Sequence, residues 1–237
     1  MNPKDLARAN WRTHFENRSV READAAPKFE VRNAADSSAA EVLIYSEIGY
    51  YGVDAKSFAQ AMAGITAPKI TVRINSPGGD VFDGLAMFNT LKAHPAKIET
   101  VVDGLAASAA SFIMLAGDTV SMNENSIAMI HSAWALGIGN AVDLRELAAT
   151  LDKVDGQLAN MYAKKSGKDL EEINAAMAAE TWFTAEEAKT FGLVDSVITD
   201  EPADDKAKNA AEDELFGLAT PRISAMRRRL RVAAHEG

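Results

Sequence analysis

The sequence predicts an α/β protein with a mainly parallel sheet covered by helices. Two observations predict this fold class: the alternation of strand-like and helix-like segments along the chain, and the size of the chain. Apolar segments rich in β-branched residues alternate with segments of helical periodicity, and short turn-forming stretches separate them. Repeated strand–turn–helix units of this kind join parallel strands. The size also fits, because 47% of the 237 residues are apolar and can fill the core of one generous domain.

Three regions differ in composition. Residues 1–39 form a polar, partly irregular N-terminal leader, residues 40–200 form the domain, and residues 201–237 form a charged C-terminal tail. The tail is acidic over 201–214 and rich in arginine near its end. We interpret it as a solvated segment, with docking onto a partner or removal during maturation as the alternatives.

The first half of the domain predicts two strand-to-helix steps. The stretch EVLIYSEI (41–48) is a strand, and a short amphipathic helix follows within 50–65. KITVRIN (69–75) alternates between apolar and polar residues, which is typical of a strand. Ser76-Pro77-Gly78-Gly79 then ends that strand, and the segment 80–94 places apolar residues on one helical face.

The second half continues the pattern. A strand over 97–102 is expected to end in a tight turn at Gly104, with a helix beginning near Ser108. The further elements are strands at 119–123 and 126–131, a long helix from Asn140 to Met161, a shorter helix at 169–179, and a helix plus closing strand within 181–199. The long helix carries an apolar seam, which either meets a partner or packs within the subunit.

Composition excludes several function classes. The net charge of −9 argues against a binder of nucleic acid or of anionic membranes. The chain has no cysteine, so it has neither disulfides nor thiolate metal sites. No apolar run approaches the roughly 18 residues needed to span a bilayer. We therefore expect a soluble, cytoplasmic protein without a metal or a cofactor.

Ser108 is the first candidate for chemistry. It follows GLAA at a predicted strand-to-helix junction and precedes the apolar run from Phe112 to Leu115. A serine there either caps the helix or offers its hydroxyl as a nucleophile, where free helix N–H groups favour negative charge. Ser111 lies one turn further on and is expected to point into the packing.

A serine nucleophile needs a base, and His131 is the best placed histidine. His14 lies in the leader, His94 lies in a helix-ending turn, and His235 is near the C-terminus. His131 ends the apolar strand SIAMIH, and sheet proteins place catalytic groups at strand ends. A purely structural histidine is the alternative.

Gly79 is the third candidate. The SPGG segment has the residue order of a type II turn, and it could be no more than that turn. Gly79 would also let bare backbone approach a ligand and donate an N–H group. Together with the amide of Ala109, it would supply the two donors of an oxyanion hole for acyl transfer.

Four motifs in order and spacing resemble the proteolytic subunit of Clp protease (ClpP). They are INSPGGDVFDGLAMFNTL, GLAAS, MIHS and TAEEAKTFGLVD, and the similarity covers roughly residues 40–200. The resemblance implies a ClpP/crotonase-like spiral of ββα units with a protruding handle helix, assembling into stacked homo-oligomeric rings. It also implies a serine endopeptidase with Ser108 as nucleophile, His131 as base, and backbone N–H groups of Gly79 and Ala109 as the oxyanion hole.

The third triad member departs from the family pattern. An aspartate is implied shortly before the segment matching WFTAEEA, and Glu180 occupies that position here. A glutamate can orient the imidazole, although its extra methylene requires a shifted backbone or rotamer. The alternatives are that Glu180 is a surface residue at a helix end, or that Asp195 serves instead, which its strand-start position makes less favourable.

The stretch EVLIYSEIGYYGVDAKSFAQAM is most similar to ClpP-related head maturation proteases of phages and prophages. That resemblance implies cleavage of scaffold and capsid proteins in the bacterial or infected host cytoplasm, without an ATPase partner. The first alternative is the proteolytic subunit of an ATP-dependent Clp protease served by an AAA+ unfoldase. A catalytically inactive ring-forming assembly protein, a crotonase-type acyl-CoA enzyme and a signal-peptide-peptidase relative are further alternatives.

Overall fold

The computed structural model describes residues 29–34 and 38–199, and within them one mixed sheet organises the chain. The strands are β1 (Glu30–Asn33), β2 (Ala40–Ile44), β3 (Lys69–Ser76), β4 (Lys97–Ala107), β5 (Thr119–Asn123), β6 (Ile127–Ile130), β7 (Thr181–Thr184) and β8 (Ser196–Ile198). The helices are α1 (Ala55–Ala63), α2 (Val81–Ala93), α3 (Ala109–Ile113), α4 (Ala141–Ser166), α5 (Leu170–Ala178) and α6 (Ala185–Phe191). Most of the leader and the entire tail lie outside the described residues.

The predicted mainly parallel sheet is confirmed. The main path runs β1-β2-β3-β4-β5-β8, while β6 pairs with both β4 and β7. The β1–β2 and β6–β7 pairs are antiparallel, and the other pairs are parallel. In β3, the alternate residues Ile70, Val72 and Ile74 are fully buried, as expected when helices cover one face of a sheet.

The predicted turn at Gly104 is wrong, because β4 continues through it to Ala107. The register with β3 shifts between Ile74 and Ser76, and the far part of β4 leaves β5 to pair with β6. Asp103 stabilises this change of neighbour: its carboxylate accepts hydrogen bonds from Arg73 Nε at 2.8 Å and Asn123 Nδ2 at 2.9 Å. The strand therefore bends at its end instead of stopping.

Two strands occur where the sequence predicted none. Residues Glu30–Asn33 of the leader form β1. Residues Thr181–Thr184 form β7, where the sequence predicts the start of a helix. The helix begins only at Ala185, because Thr184 forms a capping box with Glu187, and a capping residue has extended backbone.

Helix α4 has two different halves. It begins at a capping box of Asn140 with Asp143 and ends at Gly167, which has a φ of +73°. Toward its C-terminus Val154, Leu158 and Tyr162 are buried, so the subunit core takes up this part of the predicted seam. Near its N-terminus Val142 and Leu144 are exposed. Neither α4 nor any other helix of the described ranges is long and apolar enough to cross a membrane.

Candidate active site

Ser108 lies at a sharp bend between the end of β4 and the start of α3. Its φ and ψ are +54° and −124°, a conformation that costs a non-glycine residue about 1–3 kcal/mol. Its N–H donates to the Met129 carbonyl at 3.0 Å, and its own carbonyl accepts from the Ser111 N–H at 2.9 Å. The Ser108 side chain makes no capping hydrogen bond to α3, so the helix-cap interpretation is wrong. The bend instead presents the hydroxyl for other contacts, as strained strand-to-helix turns do.

Ser108 and His131 leave the sheet at the same edge. Strand β6 runs parallel to the end of β4, with Ala107 opposite Met129, and His131 directly follows β6. The Ser108 Oγ and the His131 Nε2 lie 2.8 Å apart, and both residues are half-buried. This is a hydrogen-bond distance between a hydroxyl and a general base that could activate it.

The other described histidine has a structural role. His94 follows α2, and its Nδ1 accepts a hydrogen bond from the Ala96 N–H at 3.1 Å. Its Nε2 lies 3.2 Å from the Met62 carbonyl oxygen. His94 thus ties a helix end to α1, as its position in the sequence suggested. His14 and His235 lie outside the described residues.

Two glycines bring bare backbone over the serine. Gly78 and Gly79 have φ values of +87° and +144°, which disfavour other residue types. A Cβ on Gly78 would lie 2.6 Å from the Ala109 nitrogen, so this segment rests directly on the start of α3. Ile48 forms a parallel bridge with Gly79: the Ile48 N–H donates to the Gly78 carbonyl, and the Ile48 carbonyl accepts from the Asp80 N–H. The Gly79 N–H is therefore turned away from Ile48.

Glu180 and His131 both adjoin the same end of the antiparallel β6–β7 pair. It sits between α5 and β7 with a φ of +51°, and its N–H donates to the Met177 carbonyl at 3.0 Å. The antiparallel register pairs Ile130 with Thr181, so His131 and Glu180 each flank one member of that pair. Glu180 is half-buried.

The Asp195 carboxylate makes its hydrogen bonds at another part of the sheet, with Val120 and Lys165. Its Oδ2 accepts a hydrogen bond from the Val120 N–H at 2.8 Å, and its Oδ1 accepts one from Lys165 Nζ at 2.6 Å. These contacts join β5, α4 and the start of β8. The carboxylate therefore stabilises this part of the sheet.

A cavity of about 400 Å³ opens beside the serine–histidine pair. Gly79 and Ala109 line it together with Ser108 and His131, so the structure brings these four predicted residues to one place. The cavity is lined mainly by apolar groups, including side chains of Phe112, Leu147, Leu151, Val154, Leu158 and Tyr162. A cavity of this kind can receive an apolar side chain of a bound peptide while the peptide backbone passes the hydroxyl.

Tyr162 lies at the site although no motif in the sequence marks it. Ser111 is fully buried, as expected, but its hydroxyl lies 2.6 Å from the Tyr162 hydroxyl. Burial raises the pKa of Tyr162 above its ordinary value, so the phenol stays protonated. The two residues are separated by 51 positions, and no local pattern connects them. Among the described residues, no group of three or more His, Asp or Glu side chains is placed to hold a metal ion.

The fold and site together define a class: an α/β protein with a mainly parallel sheet, a serine at a strained bend and a histidine within hydrogen-bond reach. The chain belongs to the Clp protease family, since the family model described as Clp protease matches residues 41–201. The ATP-dependent Clp protease proteolytic subunit 3 of Rhodococcus jostii is 35% identical over 133 residues, which are 55% of this chain and 65% of that protein. The corresponding subunit 2 of Corynebacterium efficiens is 37% identical over 133 residues, covering 55% and 66%.

These matches span slightly less than two thirds of each relative's length. Among solved structures, a mutant ClpP1 from Listeria monocytogenes superposes with a TM-score of 0.61 at 24% identity. The superposition covers 70% of this chain and 94% of the other. At this identity the similarity establishes the fold, and it confirms the predicted ClpP-like α/β architecture.

Proposed function

We propose that the protein is a serine endopeptidase of the ClpP type that acts through an acyl-enzyme. The observation that carries this proposal is the 2.8 Å contact between Ser108 Oγ and His131 Nε2 at a strained bend. Membership of the Clp protease family supports it independently. The strain at Ser108 is consistent with function, because such backbone conformations cluster at active sites.

The proposal gives each residue of the site a defined role. Ser108 Oγ attacks the peptide carbonyl while His131 Nε2 takes its proton, which His131 then gives to the leaving amine. The N–H groups of Gly79 and Ala109 stabilise the negative oxygen of the tetrahedral intermediate. Water, activated by His131, then releases the acyl group. Glu180 holds the imidazole in the tautomer that leaves Nε2 free to accept the proton.

A fluorophosphonate probe tests this proposal, because it labels only an activated serine. The wild-type protein should be labelled at Ser108, the Ser108→Ala variant should not be labelled, and the His131→Ala variant should react far more slowly. Ser126→Ala is a suitable control, since Ser126 is buried and its hydroxyl donates to the Asn123 carbonyl at 2.7 Å in a local turn. Absence of labelling in the assembled wild-type protein would overturn the proposal and favour an inactive assembly protein.

Stacked homo-oligomeric rings are part of the proposal. Trp134, Leu136 and Ile138 alternate along the segment before α4 and are 63%, 87% and 94% exposed. The exposed N-terminal half of α4 follows directly. Exposed apolar side chains in this density favour burial against another subunit. Light scattering of Ile138→Asp beside the wild type checks this: the variant should dissociate into smaller assemblies, and an unchanged mass would contradict it.

For the particular role, we favour a head maturation protease that cleaves scaffold and capsid proteins without an ATPase. The support is the resemblance of residues 41–62 to that group. In the fold these residues adjoin the site, because Glu47 lines the cavity and Ile48 forms the bridge to Gly79. Differences in this stretch would therefore bear directly on which substrates fit.

The proteolytic subunit of an ATP-dependent Clp protease is the second candidate. The names of the curated relatives favour it. Incubation with casein, with and without ATP and a host unfoldase, separates the two roles. Cleavage that needs neither supports the phage role, whereas cleavage that needs both supports the ATP-dependent subunit.

A further inference from the structure

We propose that Ser111 and Tyr162 are positioning residues that hold the Ser108 bend, and with it the Ala109 amide, in the geometry needed for attack. This inference rests on the proposed function, because it concerns the nucleophile and one oxyanion donor of that site. It assigns a task to two fully buried hydroxyls that the reaction scheme above does not use.

The three residues form a directional chain of hydrogen bonds. Ser111 Oγ donates to the Ser108 carbonyl oxygen at 2.6 Å. A serine hydroxyl has one hydrogen, so at the second contact, also 2.6 Å, the Tyr162 hydroxyl is the donor and Ser111 Oγ the acceptor. Burial raises the pKa of the Tyr162 phenol, which favours the protonated form that donates this bond.

The chain acts on the atoms that matter for catalysis. The Ser108 carbonyl and the Ala109 N–H belong to one planar peptide group, so fixing the direction of the carbonyl fixes the direction of the N–H. The Ser108 carbonyl accepts two hydrogen bonds from Ser111, one from the Ser111 N–H and one from the Ser111 hydroxyl. The Ser108 N–H in turn donates to the Met129 carbonyl. A positive φ at a serine persists only where surrounding contacts over-determine it.

Tyr162 also brings α4 into the arrangement. It lies in the buried C-terminal half of that helix, and it lines the same cavity as Ser108. Removing only the hydroxyl would therefore leave the cavity wall in place while releasing the bend. This difference separates a positioning role from a packing role.

The test uses the full-length protein and the variants Tyr162→Phe, Ser111→Ala and the double variant. The matched control is Thr100→Val, which removes another fully buried hydroxyl, one whose hydrogen bonds go to the Met114 carbonyl at 2.7 Å and the Thr119 carbonyl at 3.4 Å. For each protein, kcat and KM for a peptide substrate, the rate constant of fluorophosphonate labelling, the final labelled fraction and the thermal midpoint are measured.

We expect Tyr162→Phe and Ser111→Ala each to lower kcat and the labelling rate constant by about tenfold. KM should stay within about twofold of the wild-type value, because the lost interaction acts in the transition state. The labelled fraction should still reach the wild-type value, and the double variant should be little worse than Ser111→Ala because both belong to one chain. Thr100→Val should lose comparable thermal stability but keep its labelling rate.

The inference is overturned if the Tyr162 and Ser111 variants label at the wild-type rate, or if Thr100→Val slows labelling equally. These outcomes differ from failure of the proposed function, in which the wild-type protein itself would not be labelled at Ser108. If the variants lose labelled fraction instead of rate, the two hydroxyls serve stability alone and the positioning role is wrong.

Discussion

Replacing Gly79 by alanine should remove most of the activity, and the structure gives the reason. A Cβ at this position would lie 2.0 Å from the Ile48 carbonyl oxygen, whereas ordinary contact begins at 3.4 Å. The backbone of residue 79 or 48 must therefore move by roughly 1.4 Å, the difference between these distances. The φ of +144° adds strain for any residue with a side chain.

A displacement of this size is large for an oxyanion hole, whose donors must lie about 2.7–3.1 Å from the developing oxyanion. Loss of one such donor lowers kcat by about 10²–10³-fold, which corresponds to about 2.7–4 kcal/mol of transition-state stabilisation. We expect a loss of this order in kcat for peptide hydrolysis, normalised to the folded fraction from circular dichroism. KM should change much less.

Gly156→Ala is the matched control for this substitution. Gly156 lies inside α4, and a Cβ there would meet no atom within 4 Å. The control should keep wild-type kcat and gain about 0.5–1 kcal/mol of stability, since alanine is the better helix former. If folded Gly79→Ala retains kcat within about threefold of the wild type, the Gly79 amide is not an oxyanion donor.

Three further predictions concern acids and pH. Glu180→Gln should lower kcat by as much as about 10⁴-fold, because the Glu180 carboxylate orients His131 in the proposal. Asp195→Asn is the control and should leave kcat nearly unchanged. Equal effects of the two substitutions on kcat would contradict the role of Glu180. Activity should fall on the acid side of neutrality, because protonated His131 cannot accept the serine proton, and a flat profile between about pH 5 and 8 would refute that role. Hydrogen bonds from the backbone N–H and the hydroxyl of Thr184 lower the pKa of the Glu187 carboxyl. The stability that Glu187 contributes should therefore be present above its ordinary pKa of 4.5 and be lost as the pH falls through the lowered pKa. Denaturant unfolding of Glu187→Gln and the wild type at several pH values checks this, and a difference that persisted in acid would count against it.

The proximity of Ser108 and His131 could be predicted because local patterns mark both residues. Ser108 and His131 each follow an apolar strand, and parallel strands present their ends at one edge of a sheet. The prediction that Ser111 points into the core was also confirmed. In each case the information lies within a few neighbouring residues.

Features that depend on distant contacts could not be predicted. The continuation of β4 through Gly104 depends on Asp103 bonding Arg73 and Asn123, which lie 30 and 20 positions away. The contact of Ser111 with Tyr162 joins residues 51 positions apart. The positive φ of Ser108 has no local sign either, because glycine, not serine, normally occupies such positions.

Intact mass spectrometry of the protein during turnover of an activated ester tests whether Ser108 forms the acyl-enzyme. We expect a transient mass gain equal to the acyl group, mapped to the peptide that contains Ser108 and absent in Ser108→Ala. Turnover with the adduct on another residue, or continued hydrolysis by Ser108→Ala at the wild-type rate, would contradict it.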